Sequence, residues 1–154
     1  MNILQLNLQI ISCDNSYIPK KKYFKKWLII VLKNQSIHAK ITIRIVNELE
    51  IKKLNKQYRK QNKITNILSF AYFIPYKKNQ CLIGDLVICS KKIQEESIKQ
   101  KKSFKSHWAH IIIHGILHLL GYNHIKKLDR VYMELIEINY LYHFGFKNPY
   151  ISKK

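Results

Sequence analysis

Residues 104–124 read FKSHWAHIIIHGILHLLGYNH, and this stretch decides how the chain folds. The length of residues 104–120 and the period of their apolar side chains predict a buried helix. Gly121 follows at once, and glycine is the residue that most often occupies the left-handed position where a helix ends. We therefore expect this helix to stop at Gly121 and the chain to turn back there.

The sequence upstream of this helix contains the pattern of a small sheet. Alternating or β-prone apolar residues predict four strands, at residues 4–10, 41–45, 67–73 and 82–89. Gly84-Asp85 is expected to interrupt the last of these strands. A short turn at residues 75–80 separates the last two strands, which predicts a hairpin.

Helical spacing of apolar residues predicts four further helices. They lie at residues 21–34, 47–58, 90–100 and 128–144. Asn47 is expected to cap the second helix, with Glu50 as its partner in a capping box, and Ser90 is expected to cap the third. This order of elements predicts an α+β fold in which a small mixed sheet of about four strands packs with about five helices.

Length and composition favour a single globular domain. The chain has 154 residues with an apolar fraction of 47%, which suits one domain over residues 1–154. No apolar run approaches the roughly 20 residues of a membrane span, and residues 1–11 do not resemble a signal peptide. The three cysteines have no C-x-x-C spacing and are typical of reduced thiols. We expect a cytoplasmic protein with no membrane partner.

The net charge of +19 is the most unusual bulk property of the chain. Clustered cations neutralise phosphates and release counterions, so a nucleic-acid partner is one interpretation. Arginine occurs only at positions 44, 59 and 130, and the other basic residues are all lysine. An AT-rich genome also produces a composition rich in Lys, Ile and Asn. The charge therefore favours nucleic-acid binding but does not establish it.

Three histidines surround the predicted end of the central helix. His114 and His118 are one helical turn apart, so their imidazoles can bind one ion from the same side. Gly121 lets the chain turn back, and His124 can then supply a third ligand. Three nitrogen ligands leave one position open for water, as in catalytic zinc sites. We predict a site for one zinc ion at this helix end.

Two alternatives apply to these histidines. A lone histidine is more often an ordinary core or surface residue, but three of them around a chain-reversing glycine fit a metal site better. His107 and His110 lie on nearly the same helical stripe as His114 and His118, where they could support the ligands, touch substrate or be surface residues. The spacing is also that of metzincin proteases, H-E-x-x-H-x-x-G-x-x-H, but Gly115 replaces their general base. A zincin-like metal site without protease machinery is therefore expected.

The stretch HGILHLLGYNH closely resembles the signature H-G-x-L-H-L-x-G-Y-D-H of the YbeY endoribonucleases, also called ribosomal RNA maturation factors. Upstream, Tyr58-Arg59 and the sequence TNILSF at residues 65–70 resemble that family's Y-R and T-N-V-L-S-F elements. Gly84-Asp85-Leu86 resembles its G-D-I strand. Order and spacing agree over residues 41–150, while Asn123 stands where the family has Asp.

The resemblance implies a small α+β fold with a mostly parallel sheet and a zinc-type site formed by three histidines. It implies an endoribonuclease that prefers single strands and acts in the maturation and quality control of ribosomal RNA, particularly at the 3′ end of the small-subunit RNA. The implied partners are single-stranded and ribosomal RNA, and the ribosome or ribosomal proteins. Neither DNA nor a membrane is expected as a partner.

Several polar residues outside the histidine cluster are candidates for a role in the site. Arg59 is the predicted catalytic residue, because its planar guanidinium can bind two phosphate oxygens at once, although a surface arginine at a helix end would look the same. Asp85 could orient a ligand histidine or a loop, or be a plain turn residue. Asn66 and Ser69 could bind substrate or only shape their loop. His110 could support the ligands or touch substrate.

Two classes of function remain open at this point. The first is a metal-dependent endoribonuclease. The second is a non-catalytic ribosome assembly factor in which the metal is only structural, and the absence of an acidic residue at positions 115 and 123 favours it. A fourth protein ligand would favour the structural alternative, because closed four-ligand zinc sites are structural.

Overall fold

The computed structural model describes residues 3–12, 14–74 and 80–151. The elements run in the order β1 (Leu4–Ile10), α1 (Lys21–Asn34), β2 (His38–Val46), α2 (Glu48–Arg59), β3 (Ile67–Phe73), β4 (Cys81–Cys89), α3 (Ser90–Lys99), α4 (Phe104–Leu119) and α5 (Lys127–His143). The predicted α+β class, with a four-stranded mixed sheet and five helices, is confirmed. Among the described residues, every helix is too short or too polar to cross a bilayer.

The sheet has the strand order β1-β2-β4-β3. β1, β2 and β4 run parallel, and β3 pairs antiparallel with β4 at one edge. The sheet is therefore mostly parallel, as the resemblance implied, and the predicted β3–β4 hairpin pairing is confirmed. The turn predicted at residues 75–80 lies mainly on residues 75–79, which are outside the described ranges.

β4 is a continuous strand, so the expected interruption at Gly84-Asp85 is wrong. The reason is the close packing of α4 on this part of the sheet. A Cβ on Gly84 would lie 2.9 Å from Leu119 Cδ2 and 3.0 Å from the Phe70 backbone oxygen. The glycine is therefore a contact point between a strand and a helix, where a side chain would not fit.

Two predicted helix caps have different outcomes. The Asn47 side chain accepts a hydrogen bond of 2.9 Å from the Glu50 backbone N–H, which confirms Asn47 as the cap of α2. The prediction for Ser90 is wrong, because α3 begins at Ser90 and is preceded by Cys89 without a side-chain cap. The buried Ser90 hydroxyl instead lies 2.6 Å from that of Ser16.

The two faces of the sheet are covered by different helices. α1 and α4 pack on one face, against the side chains of Ile41, Ile43 and Leu86, and α5 covers α4 from outside. On the opposite face α2 packs through Ile51 against a smaller cluster around Val87. α4 therefore has neighbours on most sides, which explains why most of its residues are buried.

Candidate metal centre

His114 and His118 lie on one face of α4, and their Nε2 atoms are 3.0 Å apart. His124 arrives after the helix end, with its ring centroid 5.5 Å from that of His114 and 4.9 Å from that of His118. One nitrogen from each of the three rings lies within 4.8 Å of the other two. Two nitrogen ligands of a tetrahedral zinc ion are separated by about 3.4 Å, given Zn–N distances near 2.05 Å. The donor set and its spacing therefore suit one zinc ion.

The end of α4 brings His124 into this position. Gly121 has a φ of +99°, a conformation that favours glycine over residues with a side chain. The Tyr122 N–H donates to the Leu117 carbonyl at 3.0 Å, and the Gly121 N–H donates to the His118 carbonyl at 3.0 Å. This pair of bonds is the Schellman motif, which reverses the chain just past the helix. The predicted stop at Gly121 is confirmed.

The surroundings of His118 keep its side chain neutral. Burial, together with the nearby His114 and His124, lowers the pKa of His118 to about 4. A neutral imidazole is the form that binds a metal ion, because its lone pair is not occupied by a proton. His118 therefore stays neutral, and able to bind a metal ion, even at pH values well below 7. The exposed His124 leaves the site open to solvent on its side.

Glu137 of α5 contacts the histidine cluster, and the sequence prediction missed it. Its Oε2 lies 2.9 Å from His114 Nδ1, and its Oε1 accepts a short hydrogen bond from the Tyr150 hydroxyl. Burial acts to raise the pKa of Glu137, but the hydrogen bonds with His110 and His114 outweigh it and hold the pKa at about 2. An ionised Glu137 fixes the proton of His114 on Nδ1, which leaves the Nε2 lone pair for a metal ion.

The structure buries His107 and His110, so the alternative that they are surface histidines is wrong. His110 Nε2 lies 3.1 Å from the Tyr150 hydroxyl and 3.5 Å from Glu137 Oε2. His107 Nε2 lies 3.0 Å from Glu96 Oε1. Each of the two buried histidines is therefore held by a carboxylate, and His110 shares its carboxylate with His114.

Arg59 ends α2 and lies against β3. Its Nη2 donates to the Ser69 backbone oxygen at 2.7 Å, and its guanidinium carbon is 4.9 Å from the centre of the Phe70 ring. The Ser69 hydroxyl lies 3.5 Å from where a Cβ on Gly115 would stand, beside His114. Arg59 is thus exposed, and its side-chain contacts are with β3 and its own helix, not with the three histidines.

Asn66 and Asp85 lie on different sides of the sheet. The Asn66 amide donates to Glu96 Oε1 at 3.0 Å, and Asn66 lines the same pocket as His114. Asp85 points away from α4, because its neighbours Gly84 and Leu86 face that helix. It accepts a hydrogen bond of 2.7 Å from Tyr72. Asp85 lies inside β4, so the interpretation as a turn residue is wrong, and its observed hydrogen-bond partner is Tyr72 and not a ligand histidine.

Comparison with known proteins gives the family. The family described as "Endoribonuclease YbeY" matches residues 8–145. The chain belongs to the YbeY endoribonuclease family. It is 50% identical over 154 residues, covering 99% of both chains, to the endoribonuclease YbeY of Buchnera aphidicola subsp. Acyrthosiphon pisum (strain APS). The resemblance stated from the sequence is confirmed.

A second relative agrees with this assignment, and a solved structure shares the fold. The endoribonuclease YbeY of Buchnera aphidicola subsp. Schizaphis graminum (strain Sg) is 48% identical over 143 residues, which cover 92% of this chain and 90% of that protein. The solution structure of TM1509 from Thermotoga maritima matches with a TM-score of 0.58 and 22% identity, over 89% of this chain and 87% of that one. This last similarity supports the fold alone.

Packing explains why this YbeY family member has glycine at position 115, where a metzincin has its catalytic glutamate. A Cβ on Gly115 would lie 2.7 Å from Ile67 Cδ1 and 2.9 Å from Leu86 Cδ2. Position 115 therefore faces the sheet and not the metal centre, so a glutamate there could not reach a metal-bound water. The site has the ligand spacing of a zincin without space for its general base.

The sequence of this YbeY family member does contain a signal for Glu137. The buried residues of α5 form one stripe, which consists of Met133, Glu137, Tyr140 and Leu141. A carboxylate in such a stripe is rarely buried without a partner. Glu137 could therefore have been singled out as a residue that binds a histidine or a cation, although its partner could not have been named.

Proposed function

We propose that this chain is a metal-dependent endoribonuclease that cleaves single-stranded RNA. Its biological role is the maturation of ribosomal RNA, particularly the 3′ end of the small-subunit RNA, and ribosome quality control in the cytoplasm. A single domain over residues 1–154 carries the activity, and the partners are ribosomal RNA and the ribosome or its proteins. The observation that carries the proposal is the cluster of His114, His118 and His124, in which Glu137 is hydrogen-bonded to His114.

The number of ligands favours catalysis over a structural metal. In the part of the chain that is described, this cluster contains three residues and no fourth Cys, His, Asp or Glu. A zinc ion held by three histidines keeps one position for water or substrate. The exposure of His124 leaves room for an RNA strand to reach that position.

The side chains around the cluster have distinct roles in the proposed mechanism. When bound, a zinc ion supplies Lewis acidity toward a phosphoryl oxygen and makes a bound water more acidic. His114, His118 and His124 hold the ion, and Glu137 orients His114. Glu137 is not the general base, because both of its oxygens are already in hydrogen bonds and its residue is only 1% exposed.

Arg59 would stabilise the negative charge of the phosphate in the transition state. Its side chain is exposed, and its observed bonds are to backbone oxygens of Tyr58 and Ser69, which a phosphate can replace. The lysine-rich surface, reflected in the net charge of +19, would bind the rest of the RNA backbone. These contacts are to phosphates, so they carry no preference for base sequence.

Strand preference tests this proposed activity. We expect the zinc-loaded protein to cleave a ribosomal RNA fragment when it is single-stranded and to leave it intact when it is annealed to its complement. The same labelled fragment serves in both reactions, so that the only difference is the pairing. Equal cleavage of both forms would contradict single-strand specificity, and cleavage of neither would contradict the nuclease activity itself.

Arg59→Lys should lower kcat roughly 10- to 100-fold without changing the zinc content. Lysine keeps the charge but loses the planar fork that binds two phosphate oxygens. The matched control is Arg44→Lys, because Arg44 bonds to Gln9 of β1 at 3.2 Å and so lies toward the edge of the sheet away from β3, which Arg59 contacts. Full activity of the Arg59 variant would remove Arg59 from the mechanism.

A further inference from the structure

A pocket of about 360 Å³ adjoins the metal centre, and His114 forms part of its wall. We propose that this pocket, called the base pocket below, binds a guanine base of the RNA next to the phosphate that is cleaved. The proposal rests on the proposed endoribonuclease function and adds the base that the site selects. Because His114 belongs to both sites, an RNA whose phosphate lies at the metal centre places a neighbouring base at the pocket.

One wall of the base pocket contains two hydrogen-bonded neighbours that carry acceptor atoms, Asn66 and Glu96. The Asn66 amide nitrogen and His107 Nε2 each lie 3.0 Å from the same oxygen of Glu96, Oε1. Asn66 Oδ1 and Glu96 Oε2 are not used in these bonds, and both residues line the pocket. Burial acts to raise the pKa of Glu96, but the hydrogen bonds from His107 and Asn66 outweigh it and lower the pKa. Glu96 is therefore an ionised acceptor.

Buried side chains hold this wall in place. His107 is 3% exposed and forms the floor of the pocket together with His110. Since Nε2 of His107 donates to Glu96, the carboxylate cannot rotate freely when the pocket is empty. A fixed acceptor pair is what discriminates between bases, because it loses little conformational freedom on binding.

Guanine is the base whose edge complements this wall. Its N1–H and N2 amino group are two adjacent donors on the Watson–Crick edge, whereas adenine and cytosine place one amino group beside an acceptor. Uracil offers one N–H between two carbonyls. Lys102, which also lines the pocket and lies near Glu96, can donate to the guanine O6 carbonyl. Exposed bases of single-stranded RNA are commonly read by such contacts to their edges.

Tyr150 gives the base pocket an aromatic wall. Its hydroxyl is held by Glu137 and by His110 Nε2 at 3.1 Å, so the ring has a fixed position. The residue is 43% exposed, which leaves ring surface available to a base. Bases stack on tyrosine rings in many single-strand binding sites. The pocket therefore combines a ring on which a base can stack with acceptors that can bind the donors on the edge of that base.

Cleavage of a randomised single-stranded RNA by the wild-type, zinc-loaded protein tests this inference. Sequencing of the products should show guanine enriched at one position beside the cleaved bond. Inosine, which lacks the N2 amino group, should lower kcat/KM about 10-fold when it replaces that guanine, because one hydrogen bond to a charged or partly buried acceptor is lost. Equal frequencies of the four bases, or equal rates for guanine and inosine, would overturn the base pocket.

Variants of two neighbouring glutamates assign the preference to the pocket. Glu96→Gln replaces an acceptor by an amide and should bring the guanine-to-inosine ratio of kcat/KM close to one. Glu95→Gln is the matched control, because Glu95 is exposed on the same helix and loses the same charge. A Glu96→Gln protein that keeps the full ratio would contradict the role of Glu96.

A binding measurement separates this inference from the proposed function. Short labelled RNAs that differ only in one guanine or inosine can be titrated against the wild-type protein without measuring cleavage. Weaker binding of the inosine RNA, without cleavage of any RNA, would support the base pocket and contradict the nuclease function. Cleavage with no difference between the two RNAs in binding or rate would support the nuclease function and contradict the base pocket.

Discussion

The double variant His114→Ala, His118→Ala should lose both its bound metal and its cleavage of single-stranded RNA. Two of the three nitrogen ligands disappear, and the exposed His124 alone cannot hold an ion. We expect the metal affinity and kcat/KM to fall more than about 100-fold. Substitution of a residue that only hydrogen-bonds to a metal ligand already lowers affinity or activity about 10- to 100-fold. Elemental analysis of the purified protein and a cleavage assay on one preparation measure both quantities.

The control for this variant is His143→Ala. His143 is an exposed histidine at the end of α5, and its substitution removes an imidazole without touching the cluster. Circular dichroism of both variants checks that the fold persists. A double variant that cleaves RNA at the wild-type rate would show that the metal centre is not the catalytic site.

Glu137→Gln should weaken zinc binding roughly 10- to 100-fold and lower activity in the same proportion at limiting zinc. The amide has nearly the shape of the carboxylate but lacks its charge. His114 Nδ1 would then lose a charged acceptor at 2.9 Å, and the imidazole would become a poorer ligand. Competition with a chromophoric chelator measures the affinity, and activity at saturating zinc shows how much of the loss is recovered.

Glu134→Gln provides the matched control for Glu137. Glu134 lies on the same helix, is only partly buried and makes no hydrogen bond to the histidines in the described part of the chain. Its substitution removes the same charge near the site without removing the contact. Equal zinc affinities of the Glu137 variant and the wild type would mean that Glu137 contributes to packing only.

The parts of the fold that depend on local sequence were predictable. The helix end at Gly121 follows from one glycine after a long apolar period, and the Schellman bonds at that position agree with it. His114 and His118 share a face because four residues make about one helical turn. The metal cluster is local in sequence, which is why its three residues could be named before the structure.

Features that depend on long-range packing were not predictable in the same way. The Glu137–His114 contact joins α5 to α4, and no local pattern states which face of α5 meets which histidine. Gly84 looked like a strand breaker, but it is needed where α4 approaches β4. The side of the sheet on which Asp85 lies depends on the strand register, and a shift of one residue would reverse it.

The measurement that tests the central claim most directly is removal and return of the metal with occupancy and cleavage followed together. Purified wild-type protein is treated with a chelator, titrated with zinc and assayed on single-stranded ribosomal RNA at each step. The account predicts no cleavage without metal and a rate that rises in proportion to occupancy, up to one ion per chain. Cleavage by the metal-free protein, or full occupancy without cleavage, would contradict it.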